Sequence, residues 1–194
     1  MGVVRDKQEL AALRKEINTL PTEDAENELS SEARYYQYSA SSLFASATGD
    51  YENHFEYTRK ILDLFEKNKS LRDEYPYHYI GSINNHCNAL FFLNRNKEVM
   101  GMVLKLRKFC QSFGVNKWED AYHTGMLLSY DIEITALMNI GSFEKIKELS
   151  PPIGQLLNKH EARLRGSHKL DLIYDLSYGL FIAKEYDDSL KWLL

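Results

Sequence analysis

The stretch Gly49-Asp50-Tyr51-Glu52-Asn53-His54-Phe55-Glu56-Tyr57 decides how this chain folds. Before it, apolar residues at helical spacing run up to Thr48. Gly49 is the residue type that ends helices, because it reaches left-handed backbone angles without a Cβ clash. After it, Phe55, Thr58, Leu62 and Phe65 line one side of a second helix, from about Tyr51 to Lys69. The stretch is therefore a short turn joining two helices. Three more turns of related sequence follow: Asn94-Arg95-Asn96-Lys97, Gly141-Ser142-Phe143-Glu144 and Lys184-Glu185-Tyr186-Asp187, at successive intervals of 45, 47 and 43 residues. The helices that lead into them carry Cys87 and Leu90, Ile134 and Leu137, and Ser177 and Leu180, each seven and four positions before its turn.

Working outward, the same spacing fills the rest of the chain with helices. Arg5 to Asn18 is a first amphipathic helix with Leu10, Leu13 and Ile17 on one face, broken by Pro21 and Thr22. The carboxylates of Glu23, Asp24, Glu26, Glu28 and Glu32 then suit the opening of the helix that runs to Thr48, where the dipole favours negative charge. Tyr75 to Leu93 carries Ile80, Ile83, Cys87, Leu90 and Phe91, and Lys97 to Phe113 carries Val99, Val103, Leu106 and Cys110. Gly114 ends that helix, and Asn116 with Glu119 forms a capping box for the next, which carries Tyr130, Ile134, Leu137 and Met138 and stops at Gly141. Phe143 to His160 contains Pro151 and Pro152, which are expected to kink or split it. Gly166 and Ser167 punctuate again, Leu170 to Ala183 is strongly periodic, and a last helix starts near Tyr186. The expectation is eight helices and an unfinished ninth in antiparallel pairs, with no strand and no strict heptad.

The turns resemble a known family. Gly49-Asp50-Tyr51-Glu52 with Phe55-Glu56-Tyr57, Gly141-Ser142-Phe143-Glu144-Lys145-Ile146, and Leu176-Ser177 with Leu180 and Glu185-Tyr186-Asp187-Asp188-Ser189-Leu190 resemble the turn between the two helices of a tetratricopeptide repeat. The resemblance covers residues 34–194 and implies an all-α fold: a right-handed α-solenoid of about four helix pairs behind an N-terminal helix. It implies one helical-repeat domain over 1–194, with 1–30 as helix and acidic linker and 31–194 as repeats. In such repeats the aromatic after the turn (Tyr51, Phe143, Tyr186) plugs between the paired helices. The chain departs from the family in four ways. The family's period is roughly 34 residues and the one here is about ten longer; His54 and Ile146 stand where a small alanine is usual; the second turn lacks both glycine and aromatic; and no repeat ends in the usual proline. The longer period also fits HEAT or armadillo arrays.

Composition narrows the function. Hydrophobic residues make up 44% and charged residues 27% of the 194, as in ordinary globular chains with a packed core. The net charge of −4 gives no basic face for nucleic acid, and the nearest basic set, Arg95, Lys97, Lys105, Arg107 and Lys108, spreads around a helix as its solvated side. No stretch reaches the roughly 18 apolar residues of a membrane span, and Met1 to Glu16 has no apolar signal core. The chain thus reads as cytoplasmic, with no membrane or nucleic-acid partner. Cys87 and Cys110 sit among apolar residues and read as buried free thiols. The six histidines lack metal-ligand spacing, and no phosphate-binding glycine loop or nucleophile elbow occurs. The expectation is a non-enzyme without metal or cofactor. A convergent cluster of buried, shifted acids with His86 or His123 would reverse it.

The resemblance places a binding face on the first helix of each pair. Its positions are Tyr36, Ser39 and Leu43, then Asn84, Asn88 and Phe91, then Leu128, Asp131 and Thr135, then Tyr174, Tyr178 and Phe181. Asparagine amides offer donors and an acceptor to a peptide backbone, and tyrosines offer large contact area with a hydroxyl. The expected partner is a protein or peptide, held by Tyr36, Ser39, Asn84, Asn88, Phe91, Asp131, Thr135, Tyr174 and Tyr178. Some family members clamp a terminal carboxylate with lysine and arginine, but no basic residue stands at the matching positions here. The alternative expectation is a ligand- or peptide-sensing domain that controls an appended output domain. The final Leu190-Lys191-Trp192-Leu193-Leu194 lacks the polar face of a terminal repeat. That predicts an N-terminal fragment of a longer protein, or a half-repeat that forms a homodimer through Trp192, Leu193 and Leu194.

Overall fold

The structure, a computed structural model, describes residues 7–17, 19, 29–112, 119–160 and 166–194. The predicted break at Pro21 and Thr22, the acidic residues Glu23 to Glu28, and the Gly114 and Asn116 signals lie outside the described residues. All regular structure among those described is helical, and the helices group into two compact units, Met1–Leu93 and Asn94–Leu194. No described helix is long and apolar enough to cross a membrane.

The first unit holds α1 (Lys7–Ile17), α2 (Ser31–Thr48), α3 (Tyr51–Lys67), α4 (Lys69–Glu74) and α5 (Pro76–Phe92). Ser30 caps α2 by accepting the Ala33 amide at 3.1 Å, Asp50 caps α3 through the Asn53 amide, and Asn68 caps α4 through the Leu71 amide. Pro76 occupies the first turn of α5, where its missing N–H costs nothing. The short α4 departs from the expected pattern of long helices. Helices α2 and α5 both pack on α3, around a core of Phe65, Tyr79, Ile80, Ile83 and Leu90.

The second unit holds α6 (Asn96–Gln111), α7 (Glu119–Asn139), α8 (Glu144–His160), α9 (Gly166–Ile182) and α10 (Tyr186–Leu193). Its core includes Val103, Leu106, Leu127, Ile134, Ile153 and Leu176, all buried. Of the two outcomes left open at Pro151 and Pro152, a kink or a split, the split does not occur: α8 runs through both prolines. They leave the carbonyls of Lys147 and Glu148 without their usual helical donors, and both of those residues are exposed, where water can serve instead.

The four turns read from the sequence share one backbone device. Gly49, Asn94, Gly141 and Lys184, the first residue of each, all have positive φ, at 76°, 56°, 72° and 65°. Three of them close identically. The amides of Gly49, Gly141 and Lys184 bond three residues back, and those of Asp50, Ser142 and Glu185 bond five residues back to Ala45, Leu137 and Leu180 at 2.9, 2.9 and 3.0 Å. This double closure absorbs carbonyls that a helix end leaves without partners.

The repeat extends into the packing. Five residues after each left-handed residue stand His54, Val99, Ile146 and Ser189, all buried. Seven residues before stand Ser42, Cys87, Ile134 and Ser177, also buried. Ser42 bonds His54 at 2.9 Å, and Ser189 donates to the Ser177 carbonyl at 2.8 Å. The bulk of Ile146, where the resembled family has alanine, is accommodated by Gly179: a Cβ there would lie 2.8 Å from Ile146 Cδ1 and 3.8 Å from Ile134 Cγ2. The aromatics after the turns are less uniform than expected. Tyr51 is half-buried and stacks on Phe92 at 4.3 Å, whereas Tyr186 is 56% exposed and lies edge-on to Phe181. Cys87 and Cys110 are free and buried, and burial pushes both thiols up to about 12.

Candidate functional site

Helix α2 is built largely of small residues, Ser39-Ala40-Ser41-Ser42 and Ala45-Ser46-Ala47. Small side chains leave space beside a helix that leucines would fill. In the first unit that space is a cleft of about 500 Å³, with α2 and α5 as walls and α3 as floor. From α2 come Ser39, Ser42, Leu43 and Ser46, with Tyr35 at one end; from α3 come His54 and Ile61; from α5 come Ser82, Asn85, Asn88 and Phe92. The α2 positions follow spacings of three, four and seven, so one helical face supplies them. The lining contains hydroxyls, carboxamides, an imidazole and apolar carbon, and no lysine, arginine, aspartate or glutamate.

Hydrogen bonds fix part of this lining. His54 Nδ1 lies 3.0 Å from the Ser42 carbonyl oxygen and 2.9 Å from Ser42 Oγ. A carbonyl only accepts, so the first contact requires Nδ1 to carry the proton. Nδ1 is then no base toward the Ser42 hydroxyl, and the pair is a structural brace rather than an activated nucleophile. Burial holds the His54 pKa below the usual imidazole value and keeps the ring neutral. Ser82 donates to the His78 carbonyl at 2.6 Å. Deeper in the unit, Thr58 contacts His86 Nδ1 at 2.9 Å and donates to the Phe55 carbonyl. Among the described residues the carboxamides of Asn85 and Asn88 have no hydrogen-bond partner, so both are available at the cleft.

The sequence-derived binding residues divide accordingly. Ser39 and Asn88 meet in the cleft. Tyr36 is 55% exposed and rests edge-on against Tyr35 at 5.2 Å, outside the lining. Asn84 and Phe91 are half-buried on α5, and their neighbours Asn85 and Phe92 line the cleft in their place. Phe92 is positioned by its stack on Tyr51.

In the second unit, Tyr174 and Tyr178 of α9 are exposed and their rings lie parallel, 6.3 Å apart and 4° from coplanar orientation. Thr135 is half-buried on α7. Asp131 of α7 hydrogen-bonds Asp175 of α9. Burial, the Asp175 charge and that bond, and Asp171 raise its carboxyl to about 7. Asp175 is also raised, chiefly by burial, although it gains from accepting the bond. Burial and the neighbouring Asp175 charge therefore favour the protonated form of Asp131. Shifted acids thus exist. However, His123 stands two turns earlier on α7, with Glu119 Oε1 at 3.8 Å as its carboxylate neighbour. No described group of three or more His, Cys, Asp or Glu residues is arranged to hold a metal ion.

The basic set is less free than its spread implied. Arg107 bonds Glu133 at 2.6 Å and Ser129 at 3.1 Å and covers the Tyr130 ring, while Arg95 pairs with Glu98.

No protein-family model, no curated protein and no solved structure matches this chain. The tetratricopeptide resemblance accordingly rests on the turn sequences alone.

Proposed function

We propose that this chain is a helical-repeat module of tetratricopeptide type that binds a protein or peptide, with the α2–α3–α5 cleft of the first unit as its principal site. The observation that carries the reading is that cleft: about 500 Å³, walled by two helices, with two carboxamides that have no hydrogen-bond partner among the described residues. Helix-walled grooves bind extended or helical segments by combining apolar contact with a few fixed polar groups. The stacked, exposed Tyr174 and Tyr178 supply a second contact surface in the other unit, since large aromatic faces are favoured anchors. The four left-handed turns support the repeat assignment.

A second reading, a sensing domain for a small ligand, is favoured by the same volume, which lies within the roughly 300–1,000 Å³ of small-molecule sites.

The test is selection of a random displayed peptide library on the whole chain, followed by affinity measurement on two variants with unchanged helicity. These are Ser39→Phe with Asn88→Ala, and Tyr174→Ala with Tyr178→Ala. Selected peptides are expected to lose about tenfold or more in affinity on the first variant, the effect of removing an interface anchor. Equal binding to wild type and the first variant would remove the cleft from the account. Loss only on the second would move the site to α9.

A further inference from the structure

Among the described residues, the α2–α3–α5 cleft combines three properties that together specify an occupant. It carries no formal charge on its lining, His54 being held neutral in the fold by burial. Its polar groups with spare capacity, Asn85 and Asn88, sit on one wall, on one helical face three residues apart. Apolar carbon stands on both walls, Leu43 at 58% exposure on α2 and Phe92 at 47% on α5. A ligand bearing a formal charge would give up part of its hydration here without meeting an opposite charge. A wholly apolar ligand would leave both carboxamides dehydrated and unpaired.

We propose that this cleft selects an extended, uncharged stretch of a partner polypeptide, with its backbone amides bonded to Asn85 and Asn88 and an apolar side chain between Leu43 and Phe92. This rests on the peptide-binding reading above and adds the chemistry of the peptide. A carboxamide satisfies a backbone C=O and N–H at once, which is how an asparagine reads main chain without reading sequence. Specificity then comes from exclusion: a charged residue at the seated position is rejected because nothing in the lining compensates it.

The experiment uses the whole chain and two pools of end-blocked hexapeptides. One pool draws all positions from Ala, Ser, Thr, Asn, Gln, Leu and Phe. The other adds Lys and Glu at the central positions. Retained peptides are quantified by mass spectrometry on wild type, Leu43→Glu, Leu43→Lys, and Asn85→Ala with Asn88→Ala. Leu43 is exposed, so its substitutions leave the core intact. Wild type is expected to deplete central Lys and Glu by about tenfold or more, the scale of an uncompensated charge in a half-closed site. Leu43→Glu is expected to restore central Lys selectively, Leu43→Lys central Glu, and the asparagine double variant to retain little from either pool. Undiminished central charge on wild type, an unchanged profile on both Leu43 variants, or full retention by the asparagine variant overturns the proposal. If displayed peptides bind the cleft but carry central charges, the peptide-binding reading stands and this inference falls. If no peptide of either kind is retained, both fall.

Discussion

At the scale of single residues, the left-handed turn positions carry a testable cost. Gly49 has φ of 76° and no atom lies within 4 Å of where a Cβ would stand, so a substitution there is disfavoured by backbone conformation and not by crowding. Gly49→Ala is expected to destabilise the fold by about 1 kcal/mol, measured by urea unfolding. Lys184 adopts φ of 65° with a full side chain, and its two closing hydrogen bonds are the ones that hold it there. Lys184→Gly is expected to gain several tenths of a kcal/mol to about 1, since relief of strain outweighs the added freedom of the unfolded chain. A loss of stability would mean that the lysine side chain contributes more than its conformation costs.

The acid pair belongs to this scale too. Asp131 is raised to about 7, whereas an unfolded aspartate titrates near 3.9. Between those values the folded state holds a proton that the unfolded state has released. The contribution of Asp131 to stability is therefore unpenalised below about pH 4 and is lost progressively as pH rises toward 7. Asp131→Asn, which keeps a donor for Asp175 and cannot ionise, is expected to flatten the fall in melting temperature across that window. An unchanged slope would show that Asp131 ionises normally.

At the scale of elements, Gly179 of α9 leaves no room for a Cβ where it meets Ile146 of α8. Gly179→Ala is expected to cost about 1–3 kcal/mol by overpacking, and Ile146→Val, which removes the Cδ1 atom at 2.8 Å, is expected to recover part of it in the double variant. Additive effects would place the strain elsewhere. This contact also shows what the sequence could and could not disclose. Ile146 is identifiable as an intruder at a small-residue position, but its compensating glycine lies on the next helix, outside any local pattern. The turns were legible because glycine, aromatic and acidic residues recur there at fixed offsets. The six-residue α4 was not, being too short to display a helical period. On α5, Asn84 and Asn85 are each correctly spaced to share a face with Asn88. Only the packing of α5 on α3 decides that Asn85 faces the cleft. The serines of α2 were visible as a small-residue run, whose consequence, an unfilled space, needs the neighbouring helices. The Asp131–Asp175 bond joins helices far apart in sequence, and neither aspartate signals it alone.

At the scale of the molecule, the two units carry opposite acid–base sensitivities. The first buries a neutral His54, whose lowered pKa means that the unfolded chain takes up a proton first. Its stability contribution is complete above about pH 6.5 and declines as pH falls below that value. The second unit, through Asp131, declines as pH rises. Calorimetry from about pH 4 to 8, a range that brackets both transitions, is expected to show Asp131→Asn raising the alkaline side of the profile and His54→Gln reducing the acid loss. A profile insensitive to both substitutions would contradict the assignment. The proposed function, in contrast to this pH dependence, is centred on the uncharged cleft of the first unit. Its most direct test is amide hydrogen exchange of the whole chain with and without peptides retained from the uncharged pool. The account predicts slowed exchange concentrated in 39–46 and 82–92, the two walls, and abolished by Asn85→Ala with Asn88→Ala. Protection confined to 170–182, or the same pattern in the asparagine variant, would contradict it.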